Sequence, residues 1–210
     1  MKTDKNVSAF ARSLLAAVWA MDARAPLCNY AAYSGKTQLE PAWAHGLKSQ
    51  LDSAYDVIAN RKQPVGLIPD LFVRFKDMSR LWVEIKRAWK HYFSAAELPS
   101  HVDTGLFSGY LNGRASGGSV VGDFEKLEKL TFENAEYAAL LLIGFDEAEG
   151  TLQDDVARMR TTQELAARGW MSQPPSFQLD RRCPDFRIGC WFWWKHIRSS
   201  SSSHSPEERR

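Results

Sequence analysis

The run Tyr137-Ala-Ala-Leu-Leu-Leu-Ile-Gly-Phe145 constrains this chain most, because it is continuously apolar and closed by acids at Glu136 and Asp146. Such a pattern fits a central strand buried on both faces. A sheet with that strand at its centre carries a layer of structure on each side.

The surrounding elements follow from period and punctuation. Residues 5–22 repeat apolar side chains at Phe10, Leu14, Val18 and Met21, a helical spacing. A looser stretch, Ala25 to Lys36, comes next. Thr37 caps a second expected helix running to about Asn60, with Glu40 and Pro41 in its first turn. Leu39, Trp43, Leu47, Leu51, Tyr55 and Ile58 form its apolar stripe. Residues 66–75 and 80–89 read as a hairpin closed at Lys76-Asp77-Met78-Ser79. A helix is expected over 123–134, with Phe124, Leu127 and Leu130 on one side, and another over 153–168, ended by Gly169. Phe186 to Trp194 reads as the last strand. From His91 to Gly122 the sequence is hard to read, and its glycine- and serine-rich part, Ser108 to Ser119, looks like an exposed or mobile loop. The serine run from Ser199 predicts a disordered tail over 199–210. Three parts result: an N-terminal helical segment over 1–36, a main domain over 37–198, and the tail. The element order predicts an α/β fold around a mixed sheet, the hairpin feeding a parallel strand through a helical crossover.

Composition narrows the class. The chain has 210 residues, 44% of them apolar and 25% charged, enough for one full core. Three cysteines (Cys28, Cys183, Cys190) and no secretory leader suggest a reducing, cytoplasmic setting. Cys183 and Cys190 lack further ligands at zinc spacing and read as core thiols. The apolar stretch 7–20 is interrupted by Arg12 and is too short to cross a bilayer. The net charge of +2 is nearly neutral. Between Arg74 and His91, however, six basic residues face two acids, a local surround that suits a polyanion. Trp191, Trp193 and Trp194 read as a buried strand, with a stacking or contact surface as the alternative.

The hairpin also carries the chemistry. Asp70 follows Pro69 on its first strand, and Glu84-Ile85-Lys86 lies on the second. If paired positions sum to 154 or 155, Asp70 lies opposite Glu84 or Ile85. Glu84 and Lys86, two apart, share a face. Two carboxylates and an amine would then converge, a patch suited to a hard cation such as Mg²⁺ and to metal-assisted hydrolysis of a phosphodiester. Other schemes are absent: the five histidines form no metal-ligand pair, there is no Gly-x-Ser-x-Gly elbow, and no glycine-rich nucleotide loop opens a helix. A second Pro-Asp, Pro184-Asp185, has no acid-x-lysine partner.

With Pro69-Asp70 on one strand and Glu84-Ile85-Lys86 on the next, the chain resembles the PD-(D/E)XK nucleases, the restriction-endonuclease-like superfamily. The upstream helix with Glu40, the helix beginning Asp123-Phe-Glu-Lys-Leu and the buried strand 138–145 extend the likeness over about 37–147. The resemblance implies a restriction-endonuclease-like mixed central sheet flanked by helices. It implies a DNA endonuclease of restriction, repair or defence, with Mg²⁺ as cofactor and Mn²⁺ as a substitute. Asp70 and Glu84 would be the carboxylate ligands, the carbonyl of Ile85 a third ligand, Lys86 the group that positions the attacking water, and Glu40 an assisting acid. Asp123 itself reads as a helix cap or first-turn acid, and Lys126 and Lys129 read as ordinary helix-surface lysines, with a DNA-positioning role as the lesser alternative. A homodimer is the favoured arrangement for cutting both strands, with the tryptophan-rich segment as its contact. The alternative is a non-catalytic scaffold that binds nucleic acid or a protein partner.

Overall fold

The apolar run becomes one of the two longest strands of the sheet because each of its side chains finds a buried surface. In the computed structural model, residues 2–24, 27, 39–60, 69–89, 91–93, 99–101, 111, 119–129, 135–147, 149–159, 162–179 and 185–197 are described. The elements in chain order are α1 (Lys2–Arg24), α2 (Leu39–Leu51), β1 (Asp56–Ala59), β2 (Leu71–Arg74), β3 (Arg80–Trp89), β4 (His91–Phe93) and β5 (Pro99–His101). There follow α3 (Val120–Lys129), β6 (Tyr137–Glu147), α4 (Leu152–Ala157), α5 (Thr162–Ala167), β7 (Met171–Ser172), β8 (Ser176–Leu179) and β9 (Phe186–His196).

Seven strands make one mixed sheet in the order β1-β2-β3-β6-β9-β7, with β8 also on β9. β3 and β6 are parallel, Glu84 beside Leu140 and Lys86 beside Leu142, and the chain between them contains α3. All other pairs in this sheet are antiparallel. The α/β class with a mixed sheet flanked by helices is therefore present.

Alternation sorts the core into two layers. On β6, Ala139, Leu141 and Ile143 face one cluster, together with Phe10, Leu14 and Val18 of α1 and Trp43 and Leu47 of α2. Ala138, Leu140 and Leu142 face the other, with Phe124 and Leu127 of α3 and Leu152, Val156 and Leu165 of the later helices. Each large apolar side chain fully enclosed in this way contributes roughly 1.5–3 kcal/mol. Among the described residues, no helix is long and apolar enough to cross a membrane.

Three expectations need correction. The second helix stops at Leu51, and Asp56–Ala59 is an edge strand pairing with β2. Tyr55 and Ile58 fall in helical step with Leu51 by coincidence of spacing, while β2 offers the backbone a ladder. The expected helix over 153–168 is two short ones, α4 and α5, the second followed by Gly169 at φ 85. The tryptophans of β9 form the buried strand that is expected, and only the alternative of a contact surface falls. Trp191, Trp193 and Trp194 are all buried, divided between the two core layers by alternation.

Cys190 lies in the first layer as a free thiol, and burial, helped by the charge of Asp22, pushes its pKa up. Cys28, Cys183, most of the glycine- and serine-rich loop and the tail 199–210 lie outside the described residues.

Candidate functional site

The β2–β3 hairpin closes where the turn signals fall. The amide of Phe75 donates to the carbonyl of Ser79 at 2.9 Å, and Met78 takes φ 67. The Asp77 carboxylate accepts from the Ser79 amide at 3.1 Å and the Ser79 hydroxyl at 2.6 Å. The paired residues are Leu71 with Val83, Phe72 with Trp82 and Arg74 with Arg80. Carried one step past the end of β2, this register sets Asp70 across from Glu84.

Asp70 sits where the chain turns into β2, and its Oδ2 accepts the backbone amide of Ile85 at 2.7 Å. In an extended strand the amide and carbonyl of one residue leave the same edge. The Ile85 carbonyl therefore faces the side on which Asp70 lies. Asp70 also shares the face of Phe72, which packs with Trp82 in the second core layer. Burial, then the nearby charge of Glu84, pushes the Asp70 carboxyl from 3.8 up to about 7. The Ile85 amide and the Lys86 ammonium oppose this rise, and Glu40 adds to it last.

Lys86 and Glu84 project from the face of β3 that α3 covers. Lys86 Nζ is 3.2 Å from Glu84 Oε1 and 3.3 Å from Asp123 Oδ2. Lys126 Nζ, one turn along the same helix, lies 3.8 Å from Glu84 Oε1. α3 is anchored by Ser119, whose Oγ accepts the amide of Gly122 at 2.9 Å and whose carbonyl accepts that of Asp123 at 3.0 Å. The cap is thus Ser119, and Asp123 is the first-turn acid. Phe124 and Leu127 press the helix onto the sheet, which carries Asp123 and Lys126 to the rim of the patch.

Glu40 approaches from the opposite layer. Its Oε1 lies 3.4 Å from Nε of Arg87, a residue on the other face of β3 from Glu84 and Lys86. The fold brings together Asp70, Glu84, Ile85 and Lys86; Glu40 stands beside that group, engaged with Arg87. The role of Asp123 as partner of Lys86 goes beyond the sequence reading. Its only signal is the three-residue step from Asp123 to Lys126 flanking a buried Phe124 and Leu127.

The basic surround is largely neutralised. Arg74 pairs with Asp56 at 3.2 Å, and Arg80 with Glu136 at 2.9 Å. Both lie toward the hairpin turn, roughly 13 Å along the strands from Asp70 and Glu84 at about 3.3 Å per residue. Among the described residues, the cations at the patch are Lys86 and Lys126.

Among the described residues, no three His, Cys, Asp or Glu side chains are grouped to hold a metal by themselves. The donor set that could do so here consists of two carboxylates and one backbone carbonyl, all oxygen and suited to a hard cation. Asp70 commits Oδ2 to the Ile85 amide and keeps Oδ1 for a second partner. Comparison of the chain with protein-family models, curated proteins and solved structures finds no match.

Proposed function

We propose that this protein is a metal-dependent endonuclease that hydrolyses phosphodiester bonds of DNA, on a restriction-endonuclease-like variant of the mixed α/β sheet. The observation that carries this reading is the reach of Asp70 across the end of β2 to the Ile85 amide. It sets one carboxylate beside a second, Glu84, with the Lys86 ammonium on the same face. Burial, with the charge of Glu84 nearby, holds the pKa of the Asp70 carboxyl up at about 7. A divalent cation replaces the Asp70 proton with a stronger attraction to both carboxylates.

Asp70, Glu84 and the Ile85 carbonyl would hold Mg²⁺, or Mn²⁺ in its place, and Glu40 would support the site from its rim. Bound there, the cation would lower the pKa of a water and offset charge on the phosphoryl oxygens. Lys86 would orient that water and stabilise the extra negative charge as the phosphorus gains its fifth oxygen. Lys126, about half exposed beside Glu84, supports contact with a phosphate of the substrate.

One observation favours a second reading, a non-catalytic scaffold binding nucleic acid or protein. Among the described residues, Glu84 already has two ammonium neighbours and Lys86 two carboxylates, a network that needs no cation. Incubation with supercoiled plasmid, linear duplex, branched and single-stranded DNA, and RNA, with Mg²⁺ and with chelator, separates the two. Mg²⁺-dependent cutting of a DNA form supports the endonuclease. Binding without cutting of any substrate in Mg²⁺ or Mn²⁺ supports the scaffold.

A further inference from the structure

We infer that Asp123 is a positioning residue that holds the Lys86 ammonium at the reacting centre, an inference resting on the hydrolytic reading of the patch. Four charges alternate in sign across the joint between β3 and α3: Lys126, Glu84, Lys86 and Asp123, linked at 3.8, 3.2 and 3.3 Å. β3 supplies the inner pair two residues apart, and α3 supplies the outer pair three apart, so each element gives one acid and one base. Glu84 is 12% exposed and Asp123 15%, whereas Lys126 is 48% exposed. The interior links are shielded from water and salt, and the Lys126 end is open.

Lysine carries a compact charge on a flexible four-carbon stem, so its ammonium needs an anchor to stay aimed. Glu84 is one anchor. A carboxylate that serves a cation gives up much of its hold on a lysine, since both compete for the same oxygens. Asp123 comes from a different element and keeps its grip when Glu84 turns to the cation. The capping duty at the start of α3 belongs to Ser119, so the contact of Asp123 with Lys86 is not a by-product of capping. A first-turn acid also suits the helix dipole, a stabilising effect that would leave turnover alone.

The test uses the full chain with Mg²⁺ and supercoiled plasmid. Asp123→Ala and Asp123→Asn are expected to lower kcat on the order of 10–100-fold, the scale of a misplaced catalytic group. KM for DNA and the half-saturating Mg²⁺ should stay within about twofold, because neither the cation ligands nor the phosphate contact is removed. Asp123→Glu should recover most of the loss. Ser119→Ala, which weakens the cap of α3, should lower the unfolding temperature without that fall in kcat. Unchanged kcat in both Asp123 variants, or an equal fall in Ser119→Ala, overturns the inference. If the wild-type chain cuts no nucleic acid, the endonuclease reading fails by itself, and NMR of ¹³Cε-labelled lysine judges the positioning. The Lys86 signal, assigned through Lys86→Arg, should shift and sharpen in Asp123→Asn; an unchanged signal overturns the inference.

Discussion

The amide of Ile85 donates to Oδ2 of Asp70 at 2.7 Å, a bond from the second strand of the hairpin to the residue preceding the first. It fixes Asp70 where the chain enters β2, across from Glu84 in the hairpin register. Burial, and after it the charge of Glu84, makes Asp70 a poor anion in the metal-free chain, so its raised pKa has its origin in the enclosure of the site.

That origin sets a pH dependence. Asp70 keeps its proton up to about pH 7 in the folded chain, against 3.8 for an ordinary carboxyl. Between those values the folded state binds more protons than the unfolded state, so Asp70 makes stability fall as pH rises, levelling off above 7. Asp70→Asn mimics the protonated form and still accepts the Ile85 amide. In metal-free buffer it should match the wild type near pH 4 and exceed it near pH 8 by about 1–3 kcal/mol. Urea unfolding at the two pH values checks this; an equal difference at both would contradict it.

Mg²⁺ should reverse the same penalty. A ligand at about ten times its dissociation constant stabilises the folded state by about 1.4 kcal/mol, or roughly 3–6 °C for a chain of this size. Near pH 8 the wild type should show that thermal shift, and Asp70→Asn and Glu84→Gln should not. Equal shifts in all three would place the cation elsewhere.

Away from the site, the joint between β6 and β9 is sensitive to a single methyl. Gly144 and Gly189 are paired across the strands. A Cβ on Gly144 would come within 2.5 Å of Leu152 Cδ2 and 2.9 Å of Trp191 Cζ3, and one on Gly189 within 2.5 Å of Trp191 Cη2. The glycine pair makes room for the Trp191 indole. Gly144→Ala should therefore cost about 1–3 kcal/mol by overpacking. Denaturant unfolding with an unchanged midpoint would contradict that account.

The strands and the hairpin were readable because their signals are local. Asp77, Met78 and Ser79 carry turn chemistry, and β6 and β9 are long apolar stretches. β1 was unreadable, since Tyr55 and Ile58 extend the helical step of Leu47 and Leu51 and only the ladder to β2 decides otherwise. The short strands β7 and β8 exist through pairing with β9, which no local pattern encodes. At the site, the register placed Asp70 opposite Glu84, one of the two alternatives the hairpin allowed. The pairing of Glu40 with Arg87 and of Asp123 with Lys86 depends on how helices cross the sheet, a tertiary fact. The basic residues counted near the hairpin looked like a polyanion surface; in the fold Arg74, Arg80 and Arg87 have acids of their own.

The central claim is tested most directly by cleavage of supercoiled plasmid in Mg²⁺ by the wild type, Asp70→Asn and Lys86→Ala, each first shown to be folded by its unfolding temperature. The account predicts nicked or linear product from the wild type alone, with each variant slowed by at least about a hundredfold, the scale for losing a group that stabilises developing charge. Cleavage that survives both substitutions, or a folded wild type that leaves the plasmid intact, would contradict it.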